Sequence, residues 1–368
     1  MKETLIFGAD ISKFGAVGDG KTDCTKSFLD ALSSKENLIT VPYGEYIIKS
    51  SLKISSNTKL HIHPLAKLIF ENVTDCALIS AGQGAKSIII EGGTWICHDS
   101  EESANKSVFS FTGCENIRLV GCTLNPESRI CAFLTDCTDI RTEKISVVSH
   151  NSAVSAFVFT DCSDVTVKSI KYRCGCPENS SGDGSLIDFN GKNSAFYISD
   201  IISENVQRFI RSNENSVLDD IRVCGLDGGF TKCGAEFCKN SKVEYALLQE
   251  IDIFCAKSHE NCAYFKTDAD ISQLEIESFK RRVTSDAAPA VPTVIIQNQN
   301  GSSNLIIDGL AIDDVIGAKA RSKLTSMYPA RLANPHGRFI YTLEAGIGNG
   351  DSFILPQGGF DTLELSGK

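Results

Sequence analysis

FTGCENIRLVGCTL at residues 111–124 is followed by LTDCTDIRTEKISV at 134–147 and FVFTDCSDVTVKSIKY at 157–172, and the likeness among these stretches decides the fold. Each holds a short alternating apolar run, a polar turn built from Asn, Asp, Ser, Gly and Cys, and a second apolar run. That is strand, turn, strand at a period of roughly 25 residues, which marks a coiled repeat and not a layered globule. Looser copies begin at Leu186, Phe209, Ala235, Ala263 and Thr293, so about eight coils are readable. One copy cannot bury its apolar face alone, and stacking on its neighbours does so.

Composition narrows the partners. The chain has 368 residues, 42% of them hydrophobic and 22% charged, enough to bury a large core. An excess of 46 acidic over 36 basic residues, with no Lys/Arg run, argues against nucleic acid or an anionic membrane surface as partner. No stretch approaches the roughly 18 apolar residues of a membrane span, so no membrane insertion is expected. Met1 to Ile11 lacks the apolar core of a signal peptide, and the chain reads as leaderless. The 15 cysteines sit at repeat positions instead of paired spacings. Cys114, Cys137 and Cys162 share one position, and Cys97, Cys122, Cys174, Cys224 and Cys255 fall near the end of the following strand. They read as reduced, buried ladder residues made in a reducing compartment. Cys174-Gly-Cys176 has neither a second pair nor a nearby His, so no metal and no cofactor is expected.

The chain opens differently. FGAVGDGKTD at 14–23, an amphipathic segment through Phe28, Leu29 and Leu32, VPYGEY at 41–46 and SNTKLHI at 56–62 resemble the opening segment of the pectin-lyase-like superfamily, which includes polygalacturonases and phage tailspikes. The resemblance covers about the first 70 residues. It implies an all-β protein, a right-handed parallel β-helix with an N-terminal capping helix and a small C-terminal β element. The residues agree with it. Gly18-Asp19-Gly20 suits a tight turn, and Thr22 or Asp23 suits the cap of a helix at about Thr25 to Ser33, whose apolar face would cover the open end of the coils. The division is then 1–37 for the opening segment and helix, 38–316 for the β-helix and 317–368 for the C-terminal element, where RFIYTLEA from Arg338, SFILP from Ser352 and DTLELS from Asp361 read as short antiparallel strands. In tailspike-like proteins such an element ends the coil or assists trimer formation, so the resemblance implies a homotrimer.

Function must come from a site on the coil. Aligning each first strand by its last apolar residue gives an inward column of Phe111, Leu134, Phe159, Phe189, Ile210, Phe237, Phe265 and Ile296. Period-two alternation then sets the outward positions. One outward column carries Asp188, Phe209, Glu236 and Tyr264, and the next carries Asn190, Arg211 and Lys266. Aromatic rings stack on sugars, cations pair with acidic substituents, and two carboxylates can divide acid and base roles. Asp188 and Glu236 are the candidate catalytic pair. Two coils apart, their backbones would be separated by roughly 9 to 10 Å, closer to the inverting than to the retaining geometry. Phe209, Arg211, Tyr264, Lys266 and Asn190 are the candidate substrate-binding residues. As solvent-facing groups, the carboxylates should tolerate isosteric replacement at about 0.5 kcal/mol.

Set against the polygalacturonase pattern, Ser181-Gly182-Asp183-Gly184 partly matches the family's Asn-Thr-Asp-Gly, which makes Asp183 a further candidate carboxylate. Val206-Gln207-Arg208 replaces Gly-Asp-Asp, Lys232-Cys233-Gly234 replaces Gly-His-Gly, and Tyr264-Phe265-Lys266 keeps only the Lys of Arg-Ile-Lys. The expected activity is therefore a tailspike-type polysaccharide depolymerase, an inverting glycoside hydrolase acting on a surface or acidic glycan. The alternative is a non-catalytic glycan-binding or structural β-helix of a virion or appendage. A lyase using Arg211 or Lys266 as base is a third reading. The expected location is a phage tail or the cytoplasm. Thiol counting under denaturing conditions should find well over half of the cysteines free; fewer would remove the ladder account.

Overall fold

The computed structural model describes residues 8–74, 76–98, 106–149, 154–174, 183–256 and 262–283, with the strands Val294–Ile296, Ser303–Asp314, Ala330–Leu332, Arg338–Leu343, Phe353–Ile354 and Thr362–Gly367. The chain divides into two compact units, Met1–Val158 with Cys162–Gly182, and Phe159–Asp161 with Asp183–Lys368. Both are parallel β-solenoids, and the chain makes about nine turns.

In the first unit, Thr58–Glu71 pairs in parallel with Lys86–His98, which pairs with Glu115–Val120, followed by Thr138–Glu143 and Ser163–Cys174. A separate ladder runs through Leu52–Lys53, Ala77–Ala81, Ser107–Thr112 and Ile130–Thr135. Leu134 stands directly on Phe111, as the repeat implies. Pairing begins earlier than the repeat suggests, with Gly8–Asp10 against Leu38–Val41. The helix is Thr25–Leu32, and it buries Phe28, Ala31 and Leu32 while Leu29 stays exposed. Asp23 accepts from the Thr25 N–H at 2.9 Å, and Phe28 meets Tyr46 edge-on at 5.9 Å.

The polar turns have a backbone cause. Ser87, Asn116, Asp139 and Asp164 hold φ of 57°, 60°, 53° and 54°. They follow Lys86, Glu115, Thr138 and Ser163, which are in register from coil to coil. These four coils thus bend through a left-handed residue at the same place. Asn and Asp tolerate that conformation because their short side chains bond locally, which is why the turns are rich in them.

The interior is close-packed and aromatic. In the first unit Trp95 lies 6.1 Å from Phe70 and 5.0 Å from Phe109, and its indole N–H donates to the Gly92 carbonyl at 3.1 Å. In the second unit Phe196 sits edge-on to Phe159 and Phe189 at 5.1 and 5.0 Å. Each such ring, fully buried, contributes about 2 kcal/mol. The thirteen cysteines described are all free, and most are buried. Burial pushes the Cys122 thiol up to about 12, so it is un-ionised and inert at neutral pH. Residues 175 and 176 of the Cys174-Gly-Cys176 motif lie outside the described residues.

Two expectations are corrected here. The inner column of the second unit runs Phe189, Ser212, Phe237, Thr267 and Ile296, with Ile210 and Phe265 two residues out of the places assigned to them. A slip of two keeps both on the inner face. The last apolar residue was the wrong marker because polar residues occupy the inner position and are satisfied there, the Ser212 hydroxyl by that of Ser241 at 3.1 Å. The C-terminal strands are parallel and not antiparallel: Arg338–Leu343 pairs with Ser303–Asp314 and with Thr362–Gly367, and Phe353–Ile354 pairs with Ala330–Leu332.

Two backbone substitutions test this geometry in opposite directions. Gly92 holds φ +84°, and a Cβ there would lie 2.2 Å from the Ile62 carbonyl oxygen. Gly92→Ala should cost about 3 kcal/mol or more in urea unfolding. Ala195 holds φ 54° at an exposed position. Ala195→Gly relieves about 1 kcal/mol of left-handed strain against a similar entropic loss, so its stability should stay within about 0.5 kcal/mol of the parent.

Candidate functional site

The corrected register places the chemistry in one column. Asp188 stands against Arg211, Arg211 against Glu236, and Glu236 against Lys266. Sign alternates at every coil, and neighbouring strands lie about 4.8 Å apart. The two cations placed beside the carboxylates in a second column are in fact stacked between and beyond them.

The contacts follow from the register. Arg211 grips Asp188 with both prongs of its guanidinium, Nε to Oδ1 at 3.0 Å and Nη2 to Oδ2 at 2.7 Å. Lys266 Nζ lies 3.0 Å from Glu236 Oε1, and Arg208 Nε donates to the other oxygen of Glu236. Asp183 closes the cluster, 2.6 Å from Arg211 Nη1, 2.8 Å from Arg208 Nη1 and 3.2 Å from Lys232 Nζ. Side-chain exposure is only 5% at Asp188 and about a tenth at Arg208, Arg211 and Glu236, against 66% at Asp183.

Buried charges of this kind persist only when paired. Burial alone would raise Glu236, but the neighbouring Arg208 and Lys266 outweigh it and hold the carboxyl below its usual range. Burial also opposes ionisation of Asp183, and Arg208 and Arg211 again prevail and lower it. Burial would lower Arg211, and the Asp188 carboxylate outweighs that and raises it. The surroundings thus favour the charged forms of Glu236, Asp183 and Arg211.

The structure thus brings together Asp183, Asp188, Arg211, Glu236 and Lys266. Two candidates are elsewhere. Phe209 and Tyr264 are fully buried and not outward. Tyr264 lies 5.0 Å from Phe230 and 5.7 Å from Phe279, both edge-on. The strand carrying Phe209 has register irregularities between Ser203 and Arg208, and every described residue from 206 to 210 is buried. Alternation by two fails where a strand bends, as it does beside Phe209, and being buried neither ring offers a face to a sugar. Asn190 is half-buried in an amide ladder, accepting from Asn213 Nδ2 at 2.8 Å. Arg208 and Lys232 join the cluster in addition to the candidates read from the sequence. The signal was that each stands where an acidic or His motif is replaced, and a substituted cation is itself a partner for the remaining carboxylates. No group of three or more His, Cys, Asp or Glu side chains that could hold a metal occurs among the described residues.

Residues 9–235 match the family described as rhamnogalacturonase A/epimerase, pectate lyase-like. The preneck appendage protein of Bacillus phage PZA is 27% identical over 175 residues, 47% of this chain and 17% of that protein. The chain therefore spans less than a fifth of that relative's length. Among solved structures, a tailspike protein of E. coli bacteriophage HK620 in complex with a pentasaccharide superposes with TM-score 0.62 at 10% identity, covering 97% of this chain and 78% of that one. A family 28 exopolygalacturonase of Yersinia enterocolitica gives TM-score 0.57 at 11% identity over 97% and 78%. At such identities the likeness speaks for the fold.

Two measurements test this lattice of ion pairs. Asp188→Asn leaves a buried guanidinium short of its bidentate partner and should cost about 3 kcal/mol, well above the 0.5 kcal/mol expected of an exposed residue. The lowered carboxyl of the nearly buried Glu236 contributes stability that is present above its unfolded value near 4 and is lost as pH falls through the depressed folded one. Urea unfolding from pH 6 to pH 3 should therefore show stability falling below about pH 4.5, and Glu236→Gln should flatten that fall.

Proposed function

The chain belongs to the rhamnogalacturonase A/epimerase, pectate lyase-like family, and on that premise we propose that it is a glycan-binding β-helix of a virion appendage that holds its ligand without cleaving it. The observation that carries this reading is the ion pairing of all three carboxylates of this cluster, Asp183, Asp188 and Glu236. An inverting hydrolase needs one carboxylic acid kept protonated and a second, separated carboxylate that activates a water. Here the surroundings of Glu236 and Asp183 favour the ionised form, and Arg211 occupies the register position between Asp188 and Glu236. Arg211 is also a poor lyase base, since the carboxylates beside it strengthen its hold on the proton.

The cations suit a ligand with acidic groups. Arg208, Arg211, Lys232 and Lys266 against Asp183, Asp188 and Glu236 make 4 − 3 = +1 at this face, within a chain of net charge −10. The favourable local field would draw an acidic glycan to this one place. Likeness to a phage preneck appendage protein supports the virion setting, and the pentasaccharide on the phage tailspike supports a sugar ligand for this scaffold.

A depolymerase is the second reading. It is favoured by Asp188 and Glu236 lying in one column two coils apart, with backbones about 9 to 10 Å from each other. The deciding experiment is a screen of purified protein against bacterial capsular and plant acidic polysaccharides, following binding, new reducing ends and the absorbance of unsaturated uronates together. Binding with neither product is expected. Reducing ends that fall by about 10² or more in Glu236→Gln would establish the hydrolase instead.

A further inference from the structure

We infer that Asp183 is an internal stand-in for the ligand's carboxylate, occupying the anion subsite of the glycan-binding face until an acidic sugar displaces it; the inference rests on the glycan-binding reading above. Three cationic groups on separate side chains converge on this one carboxylate, Arg208 Nη1 at 2.8 Å, Arg211 Nη1 at 2.6 Å and Lys232 Nζ at 3.2 Å. The other two carboxylates are part of the sheet, on the strands Ile187–Asn190 and Val217–Phe237, and are nearly buried. Asp183 belongs to no strand, precedes the first strand of the column and has a side chain 66% exposed.

Arg208 and Arg211 are already paired with Glu236 and Asp188, so these nearly buried cations do not depend on Asp183 for a counter-charge. Arg208 supplies a second observation. It is nine-tenths buried, and its Nη1 meets Asp183 through one oxygen, Oδ1, at 2.8 Å. Lys232 Nζ shares that same oxygen at 3.2 Å, so Asp183 offers the guanidinium a single, divided acceptor. A freely placed carboxylate, planar and with two acceptor oxygens, can use guanidinium donors more fully. With Asp183 withdrawn, the face carries Arg208, Arg211, Lys232 and Lys266 against Asp188 and Glu236, a net 4 − 2 = +2. That charge selects a sugar acid over its neutral counterpart. If the tethered carboxylate holds the subsite about nine-tenths of the time, it lowers apparent affinity about tenfold.

The test is Asp183→Asn, with polygalacturonate as the acidic probe and galactan as the neutral control, read by titration calorimetry at fixed salt. D183N should bind polygalacturonate about tenfold more tightly than the parent and galactan no differently. Adding Lys232→Ala should cancel the gain. The melting temperature should move by no more than about 2 °C, because the altered side chain is exposed. A parent protein that binds polygalacturonate and a D183N that binds it equally or less tightly would overturn the inference while leaving the glycan-binding reading intact. Equal strengthening toward galactan would also overturn it. Failure of both proteins to bind either polymer or any capsular polysaccharide would remove the reading itself, and the inference with it.

Discussion

In-register stacking of parallel coils is the constraint from which the rest follows. Every side chain in such a ladder has the equivalent side chain of the next coil about 4.8 Å above and below it. An inner column must then be apolar or satisfy its own polar atoms, and an outer column must avoid like charges in contact. The first unit obeys this with exposed pairs on adjacent coils, Glu45 with Lys67 and Lys86 with Glu115. In the second unit the same rule produces the alternation Asp188, Arg211, Glu236, Lys266.

What separates that column from an ordinary surface ladder is burial. Lys86 and Glu115 are 60% and 50% exposed, while Arg211 and Asp188 are 12% and 5%. Exposed pairs are screened and nearly neutral in energy, whereas buried ones cannot lose a partner without heavy cost. A lattice so placed is rigid, favours charged forms and is specific in its geometry. Those properties suit holding an anionic ligand better than exchanging protons with it, and this is the physical basis for preferring recognition over hydrolysis on a scaffold shared with hydrolases.

The cysteines obey the same stacking rule. Cys114, Cys137 and Cys162 recur at one buried place of the repeat in the first unit. The Cys114 N–H lies 3.4 Å from the Cys137 sulfur, and each thiol approaches a main-chain carbonyl. A small, weakly polar side chain fits where a coil turns and a carbonyl is near. Their number reflects coil repetition and not cross-linking.

The sequence by itself determined the architecture, because the period of about 25 residues, the left-handed turn residues and the opening motif all express backbone needs that recur in every coil. Period two also showed outer-face charge at Asp188, Arg211, Glu236 and Lys266, while Asp183 followed from a partial likeness to the polygalacturonase motif. Register was left to the tertiary structure. Ser212 and Thr267 take inner places because hydrogen bonds satisfy them there, and no pattern of apolar residues records that. The same holds for Phe209 and Tyr264, both fully buried in the core, and for Arg208, whose role depends on carboxylates 25 and 28 residues away in the chain. Periodicity reports which face a residue is on; only packed coils decide which residue stands opposite it, and the chemistry of this site lies in those oppositions.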